Sequence, residues 1–327
     1  MRNNDYSVAL CTYNGSKYVV DQLISIVGQT IPPAQIIVSD DGSRDETLQK
    51  VDEYLKSTCI DYSIVQNGDP HGVTYNFQNA FKYCKHDIIF TSDQDDIWMK
   101  DKAEKILNVY SKDPEAMLVF SDGELVDCNL KSLNCSIWKA VGISPERVAE
   151  ANWFQYLLKN CLVTGAAMSF KKELLSDIDA IPKEWLHDGW LTWAAVIRNG
   201  LRPCPHKLIL YRQHGSNVVG MTPTYAIGSK IKNWFNNFSE IKVQREIRYK
   251  RYLALQEKWS YRLNSSQQES LHECIDMWRK LYYSNEASIF QQLNSVIYCL
   301  SKGYYDKYFV GLRGFVRDFI IAFLPNK

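Results

Sequence analysis

No charge of one sign dominates this chain: its 327 residues hold 38 Lys and Arg against 37 Asp and Glu, a net charge of +1. No Cys-x-x-Cys occurs among its nine cysteines, which are odd in number and scattered from Cys11 to Cys299. They read as reduced thiols of a cytoplasmic protein, not as a disulfide frame or a zinc site. No late segment reaches the roughly 20 mostly apolar residues that a bilayer span needs; Tyr304 to Leu324 is interrupted by Lys307, Arg313 and Arg317. The polar start, Met1 to Tyr6, enters a strand directly and is read as carrying no secretory signal. Residues 11 to 16 contain no Lys or Arg, so the basic, glycine-rich loop with which a nucleotidyltransferase holds a triphosphate is missing there.

What is present is globular in composition, 46% apolar and 23% charged, with length for a catalytic domain and about a hundred further residues. Apolar runs of four to seven residues alternate with stretches of helical period through the first two hundred residues, the pattern of a parallel α/β sheet. Strands are expected at Ser7 to Leu10, Gln35 to Ser39, Asp61 to Val65, Asp87 to Thr91, Met117 to Ser121 and Ala166 to Phe170. Crossover helices are expected over Ser16 to Gln29, Asp45 to Lys56 and Thr74 to Tyr83, with Ser16 as the first N-cap, and a later helix over Trp185 to Asn199. Beyond Thr224 the strand-like runs stop. Tyr225 to Lys327 holds 16 Lys and Arg against 9 Asp and Glu, a net +7 beside −6 for the first 224 residues. The reading is an α/β domain over 1–224 and a helical, basic, aromatic-rich region over 225–327. For that region a membrane surface, a dimer interface and packing back on the first domain all stay open. Nucleic acid is disfavoured, because Lys242 to Arg251 has the period of an ordinary helix with a solvated face.

The chemistry gathers at strand ends. Phe90-Thr91-Ser92-Asp93-Gln94-Asp95-Asp96-Ile97-Trp98 places three carboxylates where an apolar run exits, and the carboxyl edge of an open α/β sheet is where ligands bind. Carboxylates so close repel one another unless a cation lies between them. A hard ion such as Mg²⁺ or Mn²⁺ takes oxygen ligands and fills its other positions with water and substrate phosphates. The same residues also suit a polar turn before the helix that begins near Asp101. Two more polar turns leave the same edge, Thr12-Tyr13-Asn14-Gly15 and Asp40-Asp41-Gly42-Ser43. A carboxylate there can accept the imide N–H of uracil or thymine while Thr or Tyr grips base and ribose, or it can simply cap a turn. His71 to Phe77, including Asn76, opens a helix whose amides can face a phosphate. Trp185-Leu186-His187-Asp188-Gly189-Trp190 sets a carboxylate among large apolar residues, which suits a general base and equally a helix cap, with His187 as structural companion. Tyr211-Arg212-Gln213-His214 offers an imidazole for the same metal and, at Arg212, a partner for phosphate oxygens. Loops after Asp122 and around Trp138, Trp153 and Trp185 suit an acceptor pocket or core packing.

In order, S-V-A-L-C-T-Y-N-G, I-I-V-S-D-D-G-S-R-D, F-T-S-D-Q-D-D-I-W, T-G-A-A-M, W-L-H-D-G-W and Y-R-Q-H-G-S-N resemble the motif series of inverting family 2 glycosyltransferases of the GT-A fold, over roughly residues 6 to 220. The S-D-Q-D-D-I-W and H-D-x-W forms are most similar to bacterial rhamnosyltransferases that use dTDP-rhamnose to build cell-wall or surface polysaccharides. The resemblance implies a Rossmann-like, mostly parallel sheet with a helical C-terminal extension. It implies Thr12, Tyr13 and Asn14 in the nucleotide pocket, Asp40 on the base, and Asp93 at the ribose or beside the metal. Asp95 and His214 would bind Mg²⁺ or Mn²⁺, and Asp188 would be the catalytic base. Trp98 and Gly165 would shape the donor and acceptor pocket, with Asp41, Asn76, Asp96, His187, Trp190 and Arg212 around it.

The implied partners are dTDP-rhamnose and a lipid-linked saccharide acceptor, met by a cytoplasmic, peripheral enzyme at the inner face of the bacterial membrane. A UDP-sugar donor and a non-enzymatic nucleotide-sugar-binding subunit are the competing readings. One departure stands out: Leu10-Cys11 precedes Thr12 where many relatives carry a proline.

Overall fold

The computed structural model describes residues 5–143, 152–160, 163–178, 180–214 and 238–323. Its four leading strands, β1 (Tyr6–Thr12), β2 (Gln35–Asp40), β3 (Asp61–Gln66) and β4 (Ile88–Asp93), pair in parallel in the order β3-β2-β1-β4. β1 and β2 are buried along their whole length, as strands covered on both faces should be. Three crossovers join these strands: α1 (Val19–Val27), α2 (Thr47–Lys56) and α3 (Val73–Tyr83). α1 buries Val19, Leu23 and Ile26, spaced by four and three. Ser16 is not its N-cap. The helix starts three residues later, and the Ser16 N–H instead donates to Asp45 Oδ2 at 3.1 Å, tying the first loop to the second.

Past β4 the sheet becomes mixed. β5 (Ile97–Trp98) and α4 (Lys102–Lys112) lead to β6 (Leu118–Val126), β7 (Ser132–Ser136) and the short α5 (Ile137–Ala140). β8 (Met168–Lys171) runs antiparallel between β4 and β6, and β9 (Leu201–Arg212), which follows α7 (His187–Ile197), pairs in parallel with β6 and antiparallel with β5. The strand expected from Ala166 starts two residues later, because Gly165–Ala167 forms a 3₁₀ turn whose Gly165 carbonyl accepts the Thr91 hydroxyl. β9 is far longer than the apolar Leu208-Ile209-Leu210 announces. Pro203, Pro205, His206 and Lys207 hide its first half from any hydrophobic pattern.

The chain divides into two compact units, one of Met1–Glu150, Leu162–Ile181 and Leu186–Pro223, the other of Ala151–Cys161, Pro182–Trp185 and Thr224–Lys327. A single cut at 224 therefore misses two segments that belong with the late helices. They are held there by the Tyr252 hydroxyl donating to the Leu158 carbonyl (2.8 Å) and by the Trp185 indole donating to the Arg251 carbonyl (3.1 Å). The second unit contains α6 (Trp153–Lys159), α8 (Phe238–Trp259), α9 (Ser265–Tyr283), α10 (Ile289–Ser301), α11 (Tyr304–Tyr308) and α12 (Leu312–Ile321). Capping boxes at Asn264/Gln267 and Ser288/Gln291 start α9 and α10. Gly311, at φ +60°, breaks the expected Tyr304 to Leu324 segment into α11 and α12. Within this unit the fully buried Asp318 accepts from Arg245 (3.1 Å), Arg317 (2.7 Å) and the Tyr305 hydroxyl (3.0 Å). Among the described residues eight cysteines are free, and no helix is long and apolar enough to cross a membrane.

Candidate active site

Strand register brings the polar turns together. β1 pairs Thr12 with Asp40 of β2 and Cys11 with Asp93 of β4, so three strands end side by side at one carboxyl edge. Asp40 does not read a base here. It is fully buried, and Thr12 Oγ1 (2.7 Å), Ser43 Oγ (2.6 Å) and the N–H groups of Gly42 and Ser43 (3.0 and 2.7 Å) take its four acceptor positions. Asn14, at φ +47°, braces the same junction: its N–H donates to Ser43 Oγ and its Oδ1 accepts from the Arg44 N–H, both at 2.8 Å.

Tyr13 exposes its ring, while the Gln94 side chain pairs with both of its peptide groups at 2.9 Å. A Cβ at Gly15 would sit 2.0 Å from Gln94 Oε1, so a side chain there would push the Gln94 amide off the Tyr13 backbone. Asp41 accepts from Asn67 Nδ2, the His71 ring and the Gly72 N–H, which raises the His71 pKa and leaves one carboxylate lone pair unengaged by these bonds. Asn76 donates to the Thr12 carbonyl at 3.2 Å, and its Oδ1 is buried without a partner.

The carboxylates after β4 form the charged centre. His214 Nε2 lies 2.7 Å from Asp95 Oδ2, a contact across 119 residues. Asp96 is buried, accepting the Arg212 N–H at 3.0 Å through Oδ1 while Oδ2 has no partner. Burial, then Asp95 and Asp93, push its pKa well up. Asp93 is pushed up to about 7 by burial and then by Asp95 and Asp188, against Lys102. Lys102 is itself buried, donates to the Ala166 carbonyl (2.9 Å) above the Trp98 ring (3.9 Å), and is lowered to about 7 by burial. One carboxylate in contact with one imidazole, beside two carboxylates whose ionisation is opposed by their neighbours, fits a hard divalent cation that draws its other ligands from phosphate and water. Among the described residues no three His, Cys, Asp or Glu groups gather as a metal site, so a protein-only cage is not formed by them.

Asp188 occupies the second position of α7; the N-cap is Leu186. Its Oδ2 accepts the Gly165 N–H (3.1 Å) and its Oδ1 the N–H of Gly189 (2.6 Å). Beside it His187 is buried and stacked on Phe77 with centroids 4.0 Å apart, and neither ring nitrogen has a hydrogen-bond partner. Burial lowers its pKa to about 4, against Asp188, so the imidazole is neutral near pH 7.

These strands and this edge have known counterparts. Residues 7–177 match the domain described as glycosyl transferase family 2. The chain belongs to that family. Similar proteins include the dTDP-rhamnosyl transferase RfbG of Shigella flexneri, 29% identical over 224 residues covering 64% of this chain and 73% of RfbG. The Escherichia coli UDP-Glc:alpha-D-GlcNAc-diphosphoundecaprenol beta-1,3-glucosyltransferase WfgD is 24% identical over 200 residues, 60% of this chain and 72% of WfgD. Among solved structures, S. aureus TarS 1-349 in complex with UDP-GlcNAc aligns with a TM-score of 0.58 at 16% identity, over 89% of this chain and 80% of that one. The fold is that of the GT-A glycosyltransferases.

Several residues assigned to this glycosyltransferase's pocket from sequence are placed elsewhere. Arg212 does not face a phosphate in the structure: its guanidinium is buried, stacked on Tyr18 (4.4 Å), and donates to the carbonyls of Asp95 (2.7 Å) and Cys128 (2.9 Å), fixing the Asp95-Asp96 turn. Trp98 lies in the core against Phe90, and Trp190 is buried in α7, so neither lines an open pocket. Trp138 is likewise core, its indole donating to the Ser121 carbonyl, and Trp185 belongs to the helical unit. Sequence reasoning missed Gln94, which splints the Tyr13 backbone, and Lys102, whose place one residue after Asp101 reads as an ordinary helix start. It also missed Tyr211, whose hydroxyl is raised by burial and then by Asp93, Asp96, Asp95 and Asp188.

Proposed function

We propose that this glycosyltransferase moves L-rhamnose from dTDP-rhamnose to a hydroxyl of a saccharide acceptor, with inversion and with Asp188 as the general base. The observation that carries the mechanism is the convergence of four distant segments: Asp188, held by Gly165, lies close enough to Asp93 to raise its pKa, and Asp93 adjoins the Asp95–His214 pair. Backbone N–H groups occupy one lone pair of each Asp188 oxygen and leave the others for an incoming hydroxyl. As the acceptor oxygen attacks the anomeric carbon, Asp188 takes its proton, and the bond to the nucleoside diphosphate breaks on the opposite face. Neutral His187 packs beside the base without competing for that proton. Asp95 and His214 would hold Mg²⁺ or Mn²⁺, which when bound supplies the charge that lets the diphosphate leave without a protonating acid.

Tyr13 and Asp41, the groups left available at the nucleotide edge, replace Asp40 as the candidates for stacking on and reading the base. Rhamnose is favoured by the likeness to the rhamnosyl transferase. The glucosyltransferase relative supports a second reading, a UDP-sugar donor. That relative's diphosphoundecaprenol-linked substrate also motivates a lipid-linked acceptor here, reached by a peripheral enzyme at the inner membrane face. Calorimetric titration of dTDP-rhamnose, UDP-glucose and GDP-mannose, each with and without Mn²⁺, tests the donor. Metal-dependent binding selective for dTDP-rhamnose, lost in Asp95→Ala, is the expected result. Selectivity for UDP-glucose or GDP-mannose would replace the donor, and no binding to any of the three would remove dTDP-rhamnose as the donor.

A further inference from the structure

Helix α12 divides its residues between two faces. Gly314, Asp318 and Ile321, spaced by four and three, point inward and are buried. The opposite stripe is Leu312, Val316, Phe319 and, just past the helix, Phe323, spaced by four, three and four. All are exposed, Leu312 by 68% and Phe323 by 54%. α10 packs against α12, has no charged residue in its thirteen, and exposes Phe290, Ile297 and Leu300, the first by 73%. Scattered apolar exposure is ordinary on a protein surface; two stripes on adjacent helices mark a surface that is covered in use.

The charge beside these stripes says what covers them. From Ile289 to Phe323 the basic residues are Lys302, Lys307, Arg313 and Arg317, and the acids are Asp306 and Asp318. Asp318 is turned inward, where Arg245 and Arg317 neutralise it, and Lys307 is held by Glu273 at 2.8 Å. Arg313 and Lys302 remain exposed at the ends of the two stripes, and the one exposed acid, Asp306, lies on α11 between the two helices. A second copy docked on the same two helices would offer those cations no exposed acid from either helix, since α10 carries none and the only acid of α12, Asp318, is buried, whereas anionic headgroups complement them. Neither helix can span a bilayer. An apolar stripe flanked by Arg and Lys is the pattern of a helix lying in the interface plane.

We propose that the exposed faces of α10 and α12 dock on an anionic lipid surface, their Phe, Leu, Ile and Val side chains entering the acyl boundary and Arg313 and Lys302 meeting headgroups. The inference does not rest on the donor or on catalysis. Flotation of the full chain with vesicles of phosphatidylcholine, alone or mixed with phosphatidylglycerol and with no donor present, tests it. Strong partition to the mixed vesicles and weak partition to the neutral ones is expected. Leu312→Ser with Phe319→Ser should weaken partition about 100-fold, and Lys302→Glu with Arg313→Glu about tenfold or more, with circular dichroism and melting unchanged. Equal binding to both vesicle types, or binding indifferent to the serine pair, would overturn the proposal. A solution dimer that the serine pair dissociates would overturn it too, by making a second copy the occupant. Because no sugar nucleotide is present, failure here leaves the role of Asp188 standing.

Discussion

Replacing Gly165 with alanine adds one carbon at the centre of the active site. Gly165 is outside the left-handed region, so in open space the change would stabilise the fold by about 0.4–1 kcal/mol through the unfolded chain. Space is not open. The new Cβ would lie 2.8 Å from His187 Nε2, 3.2 Å from its Cε1 and 3.6 Å from Asp188 Oδ2, so the ring must retreat by about 0.6 Å to reach ordinary contact. It is already packed on Phe77 at 4.0 Å between centroids.

Overpacking of this kind costs ~1–3 kcal/mol, a fall of roughly 2–4 °C in melting temperature per kcal/mol for a unit of this size. His187 and Asp188 are consecutive in α7, so relief by moving the ring also moves the base. A misplacement near 1 Å lowers turnover about 100-fold. Melting curves and initial rates on Gly165→Ala, His187→Ala and the double variant measure this directly. With the ring gone the methyl has nothing to strike, and a coupling of about 1–2 kcal/mol between the two substitutions is expected. Wild-type turnover in Gly165→Ala, or strictly additive effects, would refute the argument.

Asp188→Asn should lower kcat about 10²–10⁴-fold while donor affinity, read by calorimetry, changes by less than about twofold; near-normal turnover would remove Asp188 from the role of base. His187 has its folded pKa depressed from 6.5 to about 4. Its contribution to stability is therefore complete above pH 6.5 and lost as the pH falls through 4, about 3 kcal/mol in all. In urea titrations across that window, His187→Phe should show a shallower decline than the parent chain; parallel curves would contradict the burial of a neutral ring. Asp318→Ala leaves Arg245, only 3% exposed, without its carboxylate. A loss of ~3–5 kcal/mol is expected in denaturant unfolding, and a loss under about 1 kcal/mol would mean that water reaches Arg245.

The sequence by itself determined that short apolar runs joined by helical-period stretches make a parallel sheet, and a doubly wound sheet puts every strand's carboxyl end on one edge. That is enough to gather the turns after Thr12, Asp40 and Asp93. The T-G and H-D segments meet in the fold, where the Gly165 N–H donates to Asp188 Oδ2. Only the tertiary structure decided which neighbour faces the cleft. β2 ends at Asp40, which the register with Thr12 holds inside the sheet edge, while Asp41 lies one residue past the strand and turns to Asn67, His71 and Gly72. A tryptophan two residues after Asp96 has the same local signature whether it lines a pocket or fills a core; the β5–β9 pairing put Trp98 in the core. His214 reaches Asp95 because β9 continues, with a bulge after Cys204, through prolines and charges that conceal it. Periodicity records how one element is half-buried, while the partner of a side chain is set by chain segments dozens of residues away, and only folding brings those within reach.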